Sequence, residues 1–231
     1  MNLQKNNLNN SKSEVLLKSL KNKSKSSKII VIGCEDLNFL LELNKEGYNN
    51  VYAVDSDSIN INNCKEKNLE KVFLMDCYKI SFEENYFDII ISLYSLETLE
   101  FDCLALENWK KLLKTNGELY VIASAFNYLK NNIQDRNKIF RRYTLFDLKE
   151  KVISVGYEIE KESYLDFLLY FPTSILRLIE LFRLRLFKTE AKKINKVFYL
   201  NQKISRIENF VFNKLSLPVG LSVFIKAKKV D

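Results

Sequence analysis

Lys28 to Asp57, KIIVIGCEDLNFLLELNKEGYNNVYAVDSD, decides the fold. It opens on an uninterrupted apolar run, Ile29-Ile30-Val31-Ile32, that stops at Gly33. A short β-branched run without polar alternation is a strand covered on both faces. Leu37, Leu40, Leu41 and Asn44 follow at helical spacing, and Gly47 stands where a left-handed residue would end that helix. Val51 to Val54 is a second buried strand running into Asp55. Strand, glycine turn, helix, glycine stop, strand, acid is the first βαβ unit of a nucleotide-binding α/β sheet.

The chemistry of such a unit follows from its geometry. Gly33 has no Cβ, so its backbone can approach a ligand closely. The helix starting near Asp36 aims free N–H groups over the turn. Asp55 leaves its strand at the carboxyl edge of the sheet, where a carboxylate can accept from two ribose hydroxyls. The distance from Gly33 to Asp55 suits an adenosine cofactor, without choosing among them. A nicotinamide dinucleotide would need glycines at Glu35 and Asn38, and neither is present, so a pyrophosphate has no seat.

Outward from this unit, Val15, Leu16 and Leu20 recur at helical spacing, and Lys21 to Ser27 links that short helix to the first strand. Ser56-Asp57-Ser58 can cap a helix. Lys71 to Met75 is a third strand ending on Asp76, and Phe87 to Ser92 a fourth. Leu104 to Lys114 is a helix with Leu106, Trp109 and Leu113 inward, and Glu118 to Ser124 a fifth strand. Thr144 and Asp147 open a capped helix whose stripe is Leu145, Leu148, Val152 and Val155. Tyr157 to Tyr164 and Leu221 to Ala227 are strands six and seven. Between them Pro172 can start a helix with Ile175, Leu178, Ile179, Phe182 and Leu186 on one face. The charges on Asp166, Arg177, Glu180, Arg183 and Arg185 argue against a membrane span over Tyr164 to Phe187.

The composition narrows the function. With 231 residues and 47% hydrophobic content the chain can bury a full core. There is no histidine, which excludes His-based triads and imidazole metal sites. The four cysteines, Cys34, Cys64, Cys77 and Cys103, have no C-x-x-C spacing, so no metal is expected. Scattered thiols without a signal peptide imply a cytoplasmic protein. The formal charge of +7 is concentrated in residues 1–28 and 177–196, each with seven basic side chains. Solvated surface is the simpler reading; anionic lipid or nucleic acid is the alternative.

Several segments together resemble a class I S-adenosylmethionine-dependent methyltransferase of the broad type 11 kind. They are IIVIGCEDL with VYAVDSD, LMDCYKISFEENYFDIIISLYSLETLE, WKKLLKTNGELYVIAS, FRRYTLFDLKEKVISVGYEI and LPVGLSVFIKAKK, spanning roughly Lys28 to Lys229. The pattern departs from the family at its first motif: Val31 takes the place of an acid, and Glu35 and Leu37 the places of glycines. The resemblance implies a Rossmann-like, seven-stranded, mostly parallel sheet with an antiparallel last strand and a helical insertion between strands six and seven. The expected organisation is a basic arm and helix (1–27), a cofactor-binding core (28–165), a helical lid (166–217) and a final strand and tail (218–231).

What the resemblance implies about the site is specific. S-adenosyl-L-methionine would be the cofactor, with Gly33, Cys34 and Glu35 near its methionine end. Glu35 would either face the ligand's amino group or fill its pocket. Asp55 and Ser56 would lie at the ribose, Asp76 and Cys77 at the adenine, and Ser92 near the methyl donor. Tyr94, Arg142 and Tyr143 would face the substrate, with Glu97 and Arg141 near the same edge. The acceptor would be a small molecule, a glycan or a lipid-like molecule. Nucleic acid is not expected, because no asparagine–proline–proline-type acceptor motif is present, and peripheral membrane contact through 172–196 is conceivable. The alternative is a methyltransferase-like binding module without catalysis.

Overall fold

The run Ile29–Ile32 forms β1, with all four residues buried, in the interior of a seven-stranded sheet. The computed structural model describes residues 12–130, 139–186 and 216–230. In chain order the elements are α1 (12–20), β1, α2 (Leu37–Lys45), β2 (Val51–Asp55), α3 (Ser58–Glu66), β3 (Val72–Leu74), β4 (Phe87–Leu93), α4 (Asp102–Leu112), β5 (Leu113–Ser124), α5 (Leu145–Ser154), β6 (Tyr157–Leu165), α6 (Phe167–Leu186) and β7 (Ser222–Lys229). The strand order is β3-β2-β1-β4-β5-β7-β6. Pairing is parallel from β3 through to β5, whereas β7 runs antiparallel to both β5 and β6. This is the mostly parallel, Rossmann-like sheet with an antiparallel last strand that the sequence leads one to expect.

Each face of the sheet has its own core because successive side chains on β1 point to opposite sides. Ile30 and Ile32 pack with Trp109 of α4 and with Leu148 and Val152 of α5. Ile29 and Val31 pack with Val15, Leu16 and Leu20 of α1 and with Phe39, Leu40 and Leu43 of α2. The inward stripe of α2 is therefore Phe39, Leu40 and Leu43 rather than Leu37, Leu40, Leu41 and Asn44. Asp36 caps this helix, accepting from Phe39 N at 3.3 Å.

Two boundaries and one inward face differ from the sequence reading. β5 begins at Leu113, five residues ahead of Glu118, because Leu113 already pairs with Phe87 across a register shift. On α4, Leu112 takes the inward place next to Trp109. α6 starts at Phe167, five residues ahead of Pro172, which lies inside the helix. Asp166 adopts φ 59° and turns the chain directly from β6 into α6, its carbonyl accepting from Tyr170 N at 3.1 Å. The expected lid beyond Leu186, including residues 187–196, lies outside the described residues. Among the described residues no helix is long and apolar enough to cross a membrane.

The chain order reverses between β1 and β4. In open α/β sheets that reversal leaves a crevice beyond the carboxyl ends of the two strands, and ligands bind there.

Candidate functional site

Asp55 is the last residue of β2 and is largely buried. Its carboxylate is built into the protein. Oδ2 accepts from Cys34 N at 2.7 Å and from Asn60 Nδ2 at 3.0 Å, and Oδ1 accepts from Asp57 N at 2.8 Å. A carboxylate offers about four acceptor positions, so one is left over. The turn after β1 and the first turn of α3 therefore both hold this side chain. Around it, Cys34 is buried while Glu35 and Ser56 are exposed.

Asp76 stands one strand further out. Asp55 pairs in register with Leu74 of β3, so Asp76 lies two residues beyond, at the same edge. It is exposed, with Oδ1 accepting from Tyr78 N at 2.8 Å. The loop that carries it is pinned to α4: Trp109 Nε1 donates to Cys77 O at 2.9 Å and Asn108 Nδ2 to Tyr78 O at 3.0 Å. Burial pushes the Cys77 thiol up to about 12, helped by the Asp55 and Asp76 charges.

At the crevice itself, Gly33 adopts φ 90° and a Cβ there would stand 2.0 Å from Ser95 Oγ. Ser95 follows β4 and donates its hydroxyl to Ile32 O. The bare α-carbon thus admits a side chain of this protein. Ser92 is fully buried within β4, and its hydroxyl has no hydrogen-bond partner among the described residues.

The other half of the edge carries a buried ion pair. Lys12 Nζ of α1 lies 2.6 Å from Asp166 Oδ2, and both residues are buried. Burial pulls the Lys12 ammonium down, but the Asp166 carboxylate and the Tyr94 phenol outweigh it and raise it above its ordinary value. Tyr94 also bonds Ser222 Oγ at 3.1 Å. Burial raises its hydroxyl, with Lys12 opposing. Tyr94, Phe126 and Asp166, each just past the end of a strand, have φ of 61°, 55° and 59°. Strained non-glycine backbone of this kind gathers at functional edges.

Tyr143, expected at the substrate, is 1% exposed and gives its hydroxyl to Asp102 Oδ2 at 2.9 Å, so it is committed to the core. Arg141 pairs with the same carboxylate at 3.1 Å. Arg142 is half-buried, and its backbone N–H donates to Asn127 Oδ1 at 3.0 Å. Glu97 is buried, and its carboxylate accepts from the backbone N–H of Ser124 and from its Oγ at 3.0 Å. Sequence reasoning singled out neither Lys12, Asn60, Ser95 nor Asp102. The partners of Lys12, Ser95 and Asp102 lie far along the chain, whereas Asn60 reaches back only five residues to Asp55. Among the described residues no cluster could hold a metal ion.

Two acids on adjacent strand ends, a glycine turn after the first strand and this strand order can be compared with known proteins. Residues 30–121 match the model of the methyltransferase domain. Over those residues the chain is similar to a methyltransferase domain. A putative sarcosine dimethylglycine methyltransferase from Galdieria sulphuraria superposes with a TM-score of 0.64 at 13% identity, covering 97% of this chain and 86% of that one. A SAM-dependent methyltransferase from Archaeoglobus fulgidus gives 0.60 at 18% identity, covering 94% of each chain. Phosphoethanolamine N-methyltransferase 2 of Haemonchus contortus, in complex with S-adenosyl-L-methionine, gives 0.62 at 14% identity, covering 95% of this chain and 52% of that one. No curated protein matches by sequence. The chain has the Rossmann-like fold of these S-adenosylmethionine-dependent enzymes, as the resemblance implied.

Proposed function

We propose that this chain binds S-adenosylmethionine and methylates a small molecule, a glycan or a lipid-like acceptor. The observation that carries the reading is the pair Asp55 and Asp76 on neighbouring strand ends, the first with one acceptor position left and the second with an exposed carboxylate. This pair fits a nucleoside: Asp55 would accept from a ribose hydroxyl and Asp76 from the adenine amino group. When bound, the cofactor supplies an already activated methyl group, so the protein has mainly to position the acceptor in line and exclude water. Ser56, Cys77 and Glu35 flank the same edge, with Ser92 buried behind it. Tyr94, half-buried between Lys12 and Ser222, is the residue best placed to meet an acceptor.

The lipid-like end of the acceptor range has support of its own. α6 leaves Leu168, Phe171, Ile175 and Leu178 about half exposed, and the sequence from Arg177 to Lys196 is strongly basic. An apolar stripe followed in the sequence by cationic residues suits an anionic membrane surface. Four free cysteines suit the reducing cytoplasm.

A second reading, a binding module without catalysis, is favoured by one observation. Ser95 fills the space over Gly33, and Val31, Glu35 and Leu37 replace the motif's acid and glycines. Calorimetry with S-adenosylhomocysteine tests the first reading. We expect micromolar binding, weakened at least tenfold by Asp55→Ala; no heat at millimolar ligand overturns it. Binding without turnover on amine, hydroxyl and phospholipid acceptors selects the second.

A further inference from the structure

α6 is a surface helix with apolar residues on two sides. On one side Leu169 is buried and Leu176 half-buried. On another, Phe171, Ile175, Leu178 and Ile179 share a face at i, i+4, i+7 and i+8, and each is about half exposed. Between the two runs a polar stripe, Tyr170, Ser174 and Arg177, is committed to the protein. The Tyr128 hydroxyl donates to Tyr170 Oη at 2.8 Å and lies 3.1 Å from Ser174 Oγ. Arg177 donates from Nε to Tyr128 O at 3.3 Å and from a terminal nitrogen to Lys130 O. The groups that a soluble helix turns to water are thus bound to the turn after β5, while hydrocarbon faces outward. A helix apolar on more than one side belongs in a core or in lipid. Among the described residues no helix can cross a membrane, so α6 has the make-up of a helix that lies in an interface.

Charge and place choose what covers it. From Phe167 to Ile179 α6 has no acidic residue, and the sequence from Arg177 to Lys196 holds seven basic side chains and two acids. An anionic lipid surface attracts such a run. A second copy of this chain, packed face to face about a two-fold axis, would set the same run against itself. The polar stripe also fixes where the outward face lies. Asp166 leads from β6 straight into α6 at the carboxyl edge, where it pairs with Lys12, and Phe126 stacks on Tyr164 beside Tyr170. A surface that touches α6 therefore lies next to Lys12, Tyr94 and Ser222.

We propose that α6 docks this chain on an anionic bilayer, with Phe171, Ile175, Leu178 and Ile179 entering the boundary between headgroups and acyl chains. The carboxyl edge of the sheet is then held at the membrane. Both attractions are needed: four half-exposed side chains bury little area, and charge alone is screened by salt. The docking rests on α6 and its charge; that it delivers an acceptor rests on the function proposed above.

The full chain is mixed with vesicles of phosphatidylcholine alone, or of an equal mixture with phosphatidylglycerol, and bound protein is separated by flotation. We expect at least tenfold more binding to the anionic vesicles, lost in about 1 M salt, where the screening length is about 3 Å. Ile175→Ser with Leu178→Ser should lower that binding at least tenfold at an unchanged melting temperature, because both side chains are exposed. Ile175→Trp should shift its emission to the blue on anionic vesicles and be quenched by brominated acyl chains, over the constant signal of buried Trp109. Equal binding to both vesicles, or to neither, overturns the proposal. So does flotation without a blue shift, which would be attraction by charge alone. A double variant that melts lower without lipid would show the stripe covered by another part of this chain. A dimer that the double variant dissociates would give the face to a second copy. Either result overturns the docking. Calorimetry with S-adenosylhomocysteine on the same preparations separates the two readings. Flotation without ligand binding removes the functional reading and leaves the docking standing; ligand binding without flotation does the reverse.

Discussion

Gly33 shows how one residue's requirement can be legible while its reason is not. An apolar strand stopped by glycine announces a backbone conformation that other residues avoid, and the structure has φ 90° there. What needs the space is a hydroxyl from the end of β4, and nothing near Gly33 in the sequence points to it. Asp55 is a similar case: the acid after strand two was legible, but its three donors were not. The collision at Gly33 can be measured. In Gly33→Ala the new methyl would meet Ser95 Oγ at 2.0 Å and Ser95 Cβ at 3.1 Å, on backbone that disfavours any Cβ. We expect a loss of about 1–3 kcal/mol in urea denaturation. Ser95→Gly in the same background should return the steric share but not the backbone share. A double-mutant cycle should then show a coupling of about 1 kcal/mol or more, and strict additivity would mean that the two groups do not collide.

At the scale of elements, caps and strands were more legible than contacts. Thr144 and Asp147 form the expected capping box, with Thr144 Oγ1 accepting from Asp147 N at 3.1 Å and Asp147 Oδ2 accepting from Thr144 N at 3.3 Å. Such a motif closes within four residues and leaves its mark in the local sequence. The clamp between α4 and α5 leaves none. Asp102, at the start of α4, takes Lys151 of α5 at 3.1 Å, Arg141 at 3.1 Å and the Tyr143 hydroxyl at 2.9 Å. Burial would raise its carboxyl, but Tyr143, Lys151 and Arg141 outweigh it and hold it below the usual 3.8. A carboxylate depressed on folding contributes its full stabilisation above the unfolded value and loses it as pH falls through the folded one. Asp102→Asn should therefore cost roughly 2 kcal/mol at pH 7. In thermal denaturation the gap to wild type should hold down to about pH 5 and shrink only below about pH 4. A gap that shrinks between pH 8 and 6 would assign the stabilisation to another group.

For the whole molecule, the strands were legible because each carries its own apolar run, whereas the antiparallel β7 followed from the family resemblance and the strand order emerged only in the structure. Residues 1–27, expected as a basic arm and helix, give that helix to the core. Val15, Leu16 and Leu20 of α1 are 2%, 0% and 0% exposed, within the same cluster as β1 and α2. Lys12, one of seven lysines in a stretch that looks solvated, is 3% exposed and ties α1 to Asp166 at the opposite end of the sheet, beside Tyr94 and Ser222. Composition could not reveal this, because a lysine's burial depends on a partner that lies across the fold. A pair this deeply buried is costly to break from one side, since the remaining charge has no solvent to fall back on. Lys12→Met should cost about 3–5 kcal/mol in urea denaturation at pH 7, and adding Asp166→Asn, which keeps a residue tolerant of positive φ, should recover most of it. Because the folded-state ammonium is held above 10.5, its contribution is complete below that value and is lost only as pH rises through the higher one. The gap between wild type and Lys12→Met should thus be the same at pH 7 and pH 9.5 and narrow only in stronger alkali. A gap below about 1 kcal/mol, the worth of an exposed ion pair, would show that α1 is held by its apolar face alone and that the strap across the carboxyl edge carries no stability.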